Sequence, residues 1–163
     1  MPITPLHMGP GLLIKSVFRG AFSLTVFGWS QILMDLQPLV VLITGEGRLH
    51  GITHTWLGAA VIGAVAAATG KPLASLGLRV IRLERYLPIR WPTAVATAFV
   101  GTFSHVLLDS FIYDDMTPLQ PFSNASPLLD MASMDAVLAF CVIAGGVGAA
   151  AWFLVSGRRG AAD

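Results

Sequence analysis

Two short motifs place candidate donors four residues apart: His50-Gly51-Ile52-Thr53-His54 and His105-Val106-Leu107-Leu108-Asp109. On a helix, residues i and i+4 lie on one face, one turn above the other, so two helices of this kind could offer four ligands to one ion. His7 and Asp35 complete the candidate set, which then contains all four histidines of the chain. Imidazole and carboxylate donors suit zinc, and manganese or iron would accept the same mixture. A cation held there would lower the pKa of a water, with Asp35 as base or bridging ligand and Asp109 as the second catalytic carboxylate. The helical zinc-peptidase signature requires Glu directly after its first His, whereas position 51 is Gly. A peptidase of that type is disfavoured.

The elements that position these residues must lie in a membrane. The chain has 163 residues, 55% of them hydrophobic and 12% charged, with a mean hydropathy of +0.73, far from the composition of a soluble domain. We expect an all-α protein, a single integral membrane domain over residues 1–163. Four apolar stretches, at about 20–43, 53–70, 93–113 and 136–156, approach the length that spans hydrocarbon. A short N-terminal helix over Pro10–Phe18, packed on the first span, would lift His7 toward the middle of the membrane. Met1 to Pro5 lack a basic segment, so no removable signal peptide is expected.

Charge sets the expected orientation. The segment Lys71–Pro92 carries Lys71, Arg79, Arg82, Arg85 and Arg90 against Glu84 alone, whereas Asp114–Asp135 carries four aspartates and no Lys or Arg. The positive-inside rule places the first in the cytoplasm and the second outside. Lys15, Arg19, Arg158 and Arg159 agree, giving a multi-pass inner-membrane protein with both termini cytoplasmic and the motifs in the periplasmic half. The loop from Asp114 to Phe122 contains Pro118 and Pro121 and could form a lid over an outward pocket; Asp114 and Asp115 could extend the site. Nothing in the chain suggests nucleic-acid binding.

Small residues in the second and fourth spans, among them Gly58, Gly63, Gly145 and Gly148, suit close helix packing. Cys141, the lone cysteine, reads as a packing residue. Thr53, Thr55, Ser104 and Ser110 flank the candidate ligands, where they could orient imidazoles or bond to their own backbone. Asp35 and Asp109 each carry an insertion penalty of about 2.5–3.5 kcal/mol near the centre of a span. They need partners.

In the order His7, Asp35, His50 to His54, and His105 to Asp109, the chain resembles a family of bacterial inner-membrane metal-dependent hydrolases of the LexA-regulated type. The resemblance covers about His7 to Phe122. That family is distantly similar to the zinc-dependent phospholipase C and single-strand nuclease superfamily, which implies helical architecture and hydrolysis of a phosphoester or other ester, small or lipid, at the outer membrane face. Its Pro-Asp-x-Asp segment is reduced here to Asp35 followed by Gln37 and Pro38. Two other readings use the same residues: a haem protein with His54 and His105 as axial ligands, and a metal or proton transporter working as a homo-oligomer.

Overall fold

Prolines and hydroxyl caps divide the apolar stretches into helices. The computed structural model describes the backbone of residues 4–159 and the side chains of residues 5–155. Its helices are α1 (Met8–Phe18), α2 (Leu24–Met34), α3 (Leu36–Thr44), α4 (Trp56–Val80), α5 (Trp91–Asp109) and α6 (Met134–Arg159). Four segments are long and apolar enough to cross a membrane: α2 with α3, α4, α5, and Met134–Val155 of α6. The expected all-α architecture of four spans and a short N-terminal helix is the one observed. Large apolar side chains such as Ile43, Val80 and Phe153 point outward, as lipid contact requires.

Three boundaries differ from expectation. The first span is broken at Asp35, the residue between α2 and α3. Pro38, in the first turn of α3, has no N–H to bond the Met34 carbonyl, and its ring crowds that carbonyl, so an unbroken helix is disfavoured there. The second span starts later and runs longer than 53–70, because the Thr55 hydroxyl accepts from the Gly58 amide and caps α4 at its start. At its other end α4 passes through Lys71 and Pro72 to Val80, so the cationic loop is Ile81–Arg90 rather than 71–92. Lys71 stays helical and lays its amine over the Trp91 ring at 4.5 Å. The third span ends at Asp109 rather than 113.

The short N-terminal helix is present and packs chiefly on α6, with a smaller contact on α2 of the first span. Its seam is made of glycines. A Cβ on Gly9 would overlap the Cys141 carbonyl oxygen, and one on Gly148 would lie 2.5 Å from the Leu13 amide nitrogen. Backbone thus lies directly on backbone, the contact that small residues permit. Gly11 gives the same room to the Phe27 ring of α2. Cys141 is buried in this seam. The remaining core is narrow: Val26, Ala66, Ala94 and Ala98 join α2, α4 and α5, and Met34, Ala59, Val106 and Met116 close the opposite end.

Met116 belongs to the loop expected to form a lid, and that loop covers the bundle end. The Trp56 amide donates to the Pro118 carbonyl at 2.9 Å, and Arg48 donates to the Asp115 carbonyl at 2.6 Å. Residues 1–3 and 160–163, and with them the chain termini, lie outside the described residues, as do the side chains of Arg158 and Arg159.

If α1 is held by this glycine seam, Gly148→Ala should destabilise the protein by roughly 1–3 kcal/mol through overpacking. Gly146→Ala, facing open space, should be near neutral. Thermal melts of both variants in detergent, read side by side, check this.

Candidate metal centre

The break in the first span leaves Asp35 at a helix junction, beside the buried end of α5. On α5, His105 and Asp109 share one face as their spacing requires, with His105 Nε2 3.2 Å from Asp109 Oδ2. His105 Nε2 also lies 3.5 Å from Asp35 Oδ1. From α1's N-terminal edge, His7 Nε2 comes within 3.5 Å of Asp109 Oδ1. His54 Nε2 sits 3.8 Å from Asp109 Oδ2. Asp109 is therefore the hub: three imidazoles surround its two oxygens.

His50 and His54 do not share a helix face, which corrects the expectation from their spacing. His50 lies in a turn, and His54 ends a single 3-10 turn, Ile52–His54, ahead of the Thr55 cap. Gly51 has a non-helical backbone, φ −89° and ψ −144°, and the Gln37 side chain fills the place a Cβ would take. The two rings still meet edge to face, with centroids 4.9 Å apart. His50 stacks on Tyr113 at 4.2 Å, and its Nδ1 lies 2.6 Å from Asp115 Oδ1. One donor atom each from His50, His54 and Asp109 lies within 4.8 Å of the others. All six candidate residues are thus neighbours.

Two glutamines that the sequence did not single out fix the tautomers. Gln31 donates from Nε2 to the Gly101 carbonyl at 3.0 Å, so its Oε1, 2.8 Å from His105 Nδ1, must accept the proton that Nδ1 carries. Gln37 Oε1 accepts from both the amide and the hydroxyl of Thr53, which leaves the Thr53 oxygen to accept from His54 Nδ1 at 2.9 Å. In both rings Nε2 is then the nitrogen turned toward the centre. Neither Nε2 has a hydrogen-bond partner, and both nitrogens of His7 are buried in the same condition. Gln31, buried one turn before Asp35 in an apolar helix, was the available signal.

The other polar neighbours divide cleanly. Of the four hydroxyls considered, Thr53 alone touches a candidate ligand; Thr55 caps α4, and Ser104 and Ser110 bond to the carbonyls of Gly101 and Val106 on their own helix. Asp115 extends the site by holding His50 through its ring and its amide. Burial works against its charge, but these hydrogen bonds prevail and hold its carboxyl below the usual range. Asp114 is exposed. Burial, assisted by His105 and opposed by Asp109, takes His54 down to about 3. Its imidazole is neutral at physiological pH, the form in which it can be a ligand. Burial and the surrounding aspartates keep the Tyr113 phenol protonated, up to about 12.

The donor set fits a metal. Tetrahedral coordination at ~2.0–2.1 Å from each donor separates donors by ~3.3 Å, and the four contacts around His105 and Asp109 span 3.2–3.8 Å. Charge-assisted hydrogen bonds between imidazole and carboxylate would be shorter, at about 2.7–2.9 Å. Three overlapping groups bring their donor atoms within 4.8 Å of one another: His7 with His105 and Asp109; Asp35 with His54 and His105; His50 with His54 and Asp109. A haem does not fit, because the His54 and His105 rings lie 5.2 Å apart, edge to face, and leave no slot for a flat macrocycle between them.

The model of the YdjM inner membrane protein family matches residues 13–162, and the chain belongs to that family. No curated protein and no solved structure matches it. The matched region includes Asp35, His50, His54, His105 and Asp109.

Imidazole nitrogen NMR on the histidine-labelled protein should show His54 protonated at Nδ1 and neutral from pH 8 down to pH 5, since burial lowers its pKa to about 3. Thr53→Val should remove that tautomer preference. A His54 that titrates near the free value of about 6.5 would contradict the described burial.

Proposed function

We propose that this member of the YdjM inner membrane protein family is a membrane-embedded, metal-dependent hydrolase, acting on a phosphoester or other ester at the periplasmic face. One observation supports it most: buried imidazole nitrogens of His7, His54 and His105, without hydrogen bonds, converge on Asp109 at donor spacings that suit one shared cation. Desolvated polar atoms in lipid are costly, and structures retain them where they carry a function.

His7, His54, His105, Asp35 and Asp109 would hold one or two ions, with His50 at the edge of the set. Zinc suits this mixture of nitrogen and oxygen donors best, and manganese or iron would be accepted. When bound, the ion supplies Lewis acidity and lowers the pKa of a water toward about 7. Asp35, the carboxylate at the junction of the broken helix, would serve as the proton acceptor. Gln31 and Thr53 keep His105 and His54 turned with Nε2 inward. The lid of Asp114–Phe122 limits water at the site, and membrane lipid or a small ester enters beside it. With the arginine-rich loop in the cytoplasm by the positive-inside rule, the centre lies in the periplasmic half.

Elemental analysis of detergent-purified protein should find near-stoichiometric divalent metal. His54→Ala and Asp109→Ala should each lower that content at least tenfold while leaving helical content unchanged. Gln31→Leu should weaken metal affinity by roughly 10- to 100-fold, the usual effect of losing a residue that orients a ligand. An ester screen with His105→Ala as control then reads the activity. Wild-type protein that binds no divalent metal would refute the proposal.

A further inference from the structure

At the end of the bundle away from the His/Asp centre lies a cavity of about 590 Å³ that the proposed chemistry does not use. Every spanning helix and α1 contribute to its wall. Its inner surface is apolar, with Leu12, Phe22, Leu78 and Ile89 among the lining residues, while Lys15, Arg19 and Arg85 stand around it. The size is that of a site for a small organic molecule.

Among the described residues the cations here have no ion-pair partner: every ion pair joins a histidine to an aspartate, and none involves Lys or Arg. The loop Ile81–Arg90 holds Arg82, Arg85 and Arg90 against Glu84 alone. Lys15 is half-buried and donates to the carbonyls of Arg19 and Phe22, both at 2.6 Å, with the rings of Tyr86 and Trp152 at 5.8 and 5.5 Å. Its partners are all uncharged. An anion at the rim would be attracted by three neighbouring positive charges at once. An apolar hollow beneath such a rim matches an amphiphile with one anionic headgroup, and basic pockets between spanning helices are a recognised way to hold phosphate-bearing lipids.

We propose that this cavity binds an anionic phospholipid, its acyl chain inside and its phosphate held by Arg19, Arg85 and the remaining N–H of Lys15. The occupant comes from the surrounding bilayer. The site is independent of the metal centre, so its loss should leave metal content intact.

Native mass spectrometry of the full chain in detergent tests this, with titration by phosphatidylglycerol or phosphatidylcholine of matched chains and inorganic phosphate as competitor. Wild-type protein should hold one phosphatidylglycerol in preference to phosphatidylcholine. The double variant Arg19→Gln, Arg85→Gln, altered only at the rim, should lose that preference by roughly 10- to 30-fold, at about 1 kcal/mol for each cation near an anionic headgroup. Thr93→Trp, which adds bulk to the cavity wall and leaves the charges alone, should also lower occupancy. Equal affinity for the two lipids, undiminished phosphatidylglycerol binding in the double variant, or complete displacement by inorganic phosphate would each overturn the proposal.

Discussion

Asp109 is the point on which the rest of the structure depends. A carboxylate in a spanning helix is tolerated only where other groups compensate it, and here the compensation comes from outside its own helix. Its two oxygens face His7, His54 and, one turn back on α5, His105. The first two residues can reach it only through departures from simple spanning helices: α1 begins within the bundle, and the chain before α4 tightens into a 3-10 turn instead of continuing as helix. Asp35 arrives by a third departure, the break before Pro38. Local irregularity is therefore concentrated where polar groups must meet.

A second layer makes the convergence directional. Imidazoles crowded around a carboxylate could rotate or exchange tautomers, but Gln31 and the Gln37–Thr53 pair each engage Nδ1 and leave Nε2 facing inward. These contacts link α2, α3, the 3-10 turn and α5, so they join the helices as well as orienting the rings. The lid adds another tie through Asp115 and His50. Pre-organisation of this kind is what a metal centre requires, because ligands that are already placed lose little freedom on binding.

The two ends of the bundle differ in kind. One gathers acids and imidazoles beneath an ordered loop. The other gathers Lys15, Arg19 and the arginines of the loop after α4 around an apolar hollow. The helix α1 connects them, bringing His7 to the first and Lys15 to the second, and its glycine seam with α6 fixes both placements. Its 11 residues correspond to about 16 Å of helix, roughly half the hydrocarbon thickness.

Most of the architecture was legible from hydropathy, since an apolar run of about 20 residues has few alternatives to a spanning helix. The pairing of His105 with Asp109 followed from helical periodicity alone. The same rule failed for His50 and His54, because the helix starts only after the Thr55 cap, a local contact, and the Gln37 side chain seated against Gly51 joins segments that a linear spacing does not connect. His7's approach, the partner of α1 and the roles of Gln31 and Gln37 also belong to tertiary structure. Residue type decided which groups needed partners in lipid; only the packed chain decided which partners they received, because those contacts join residues as much as 102 positions apart, His7 and Asp109.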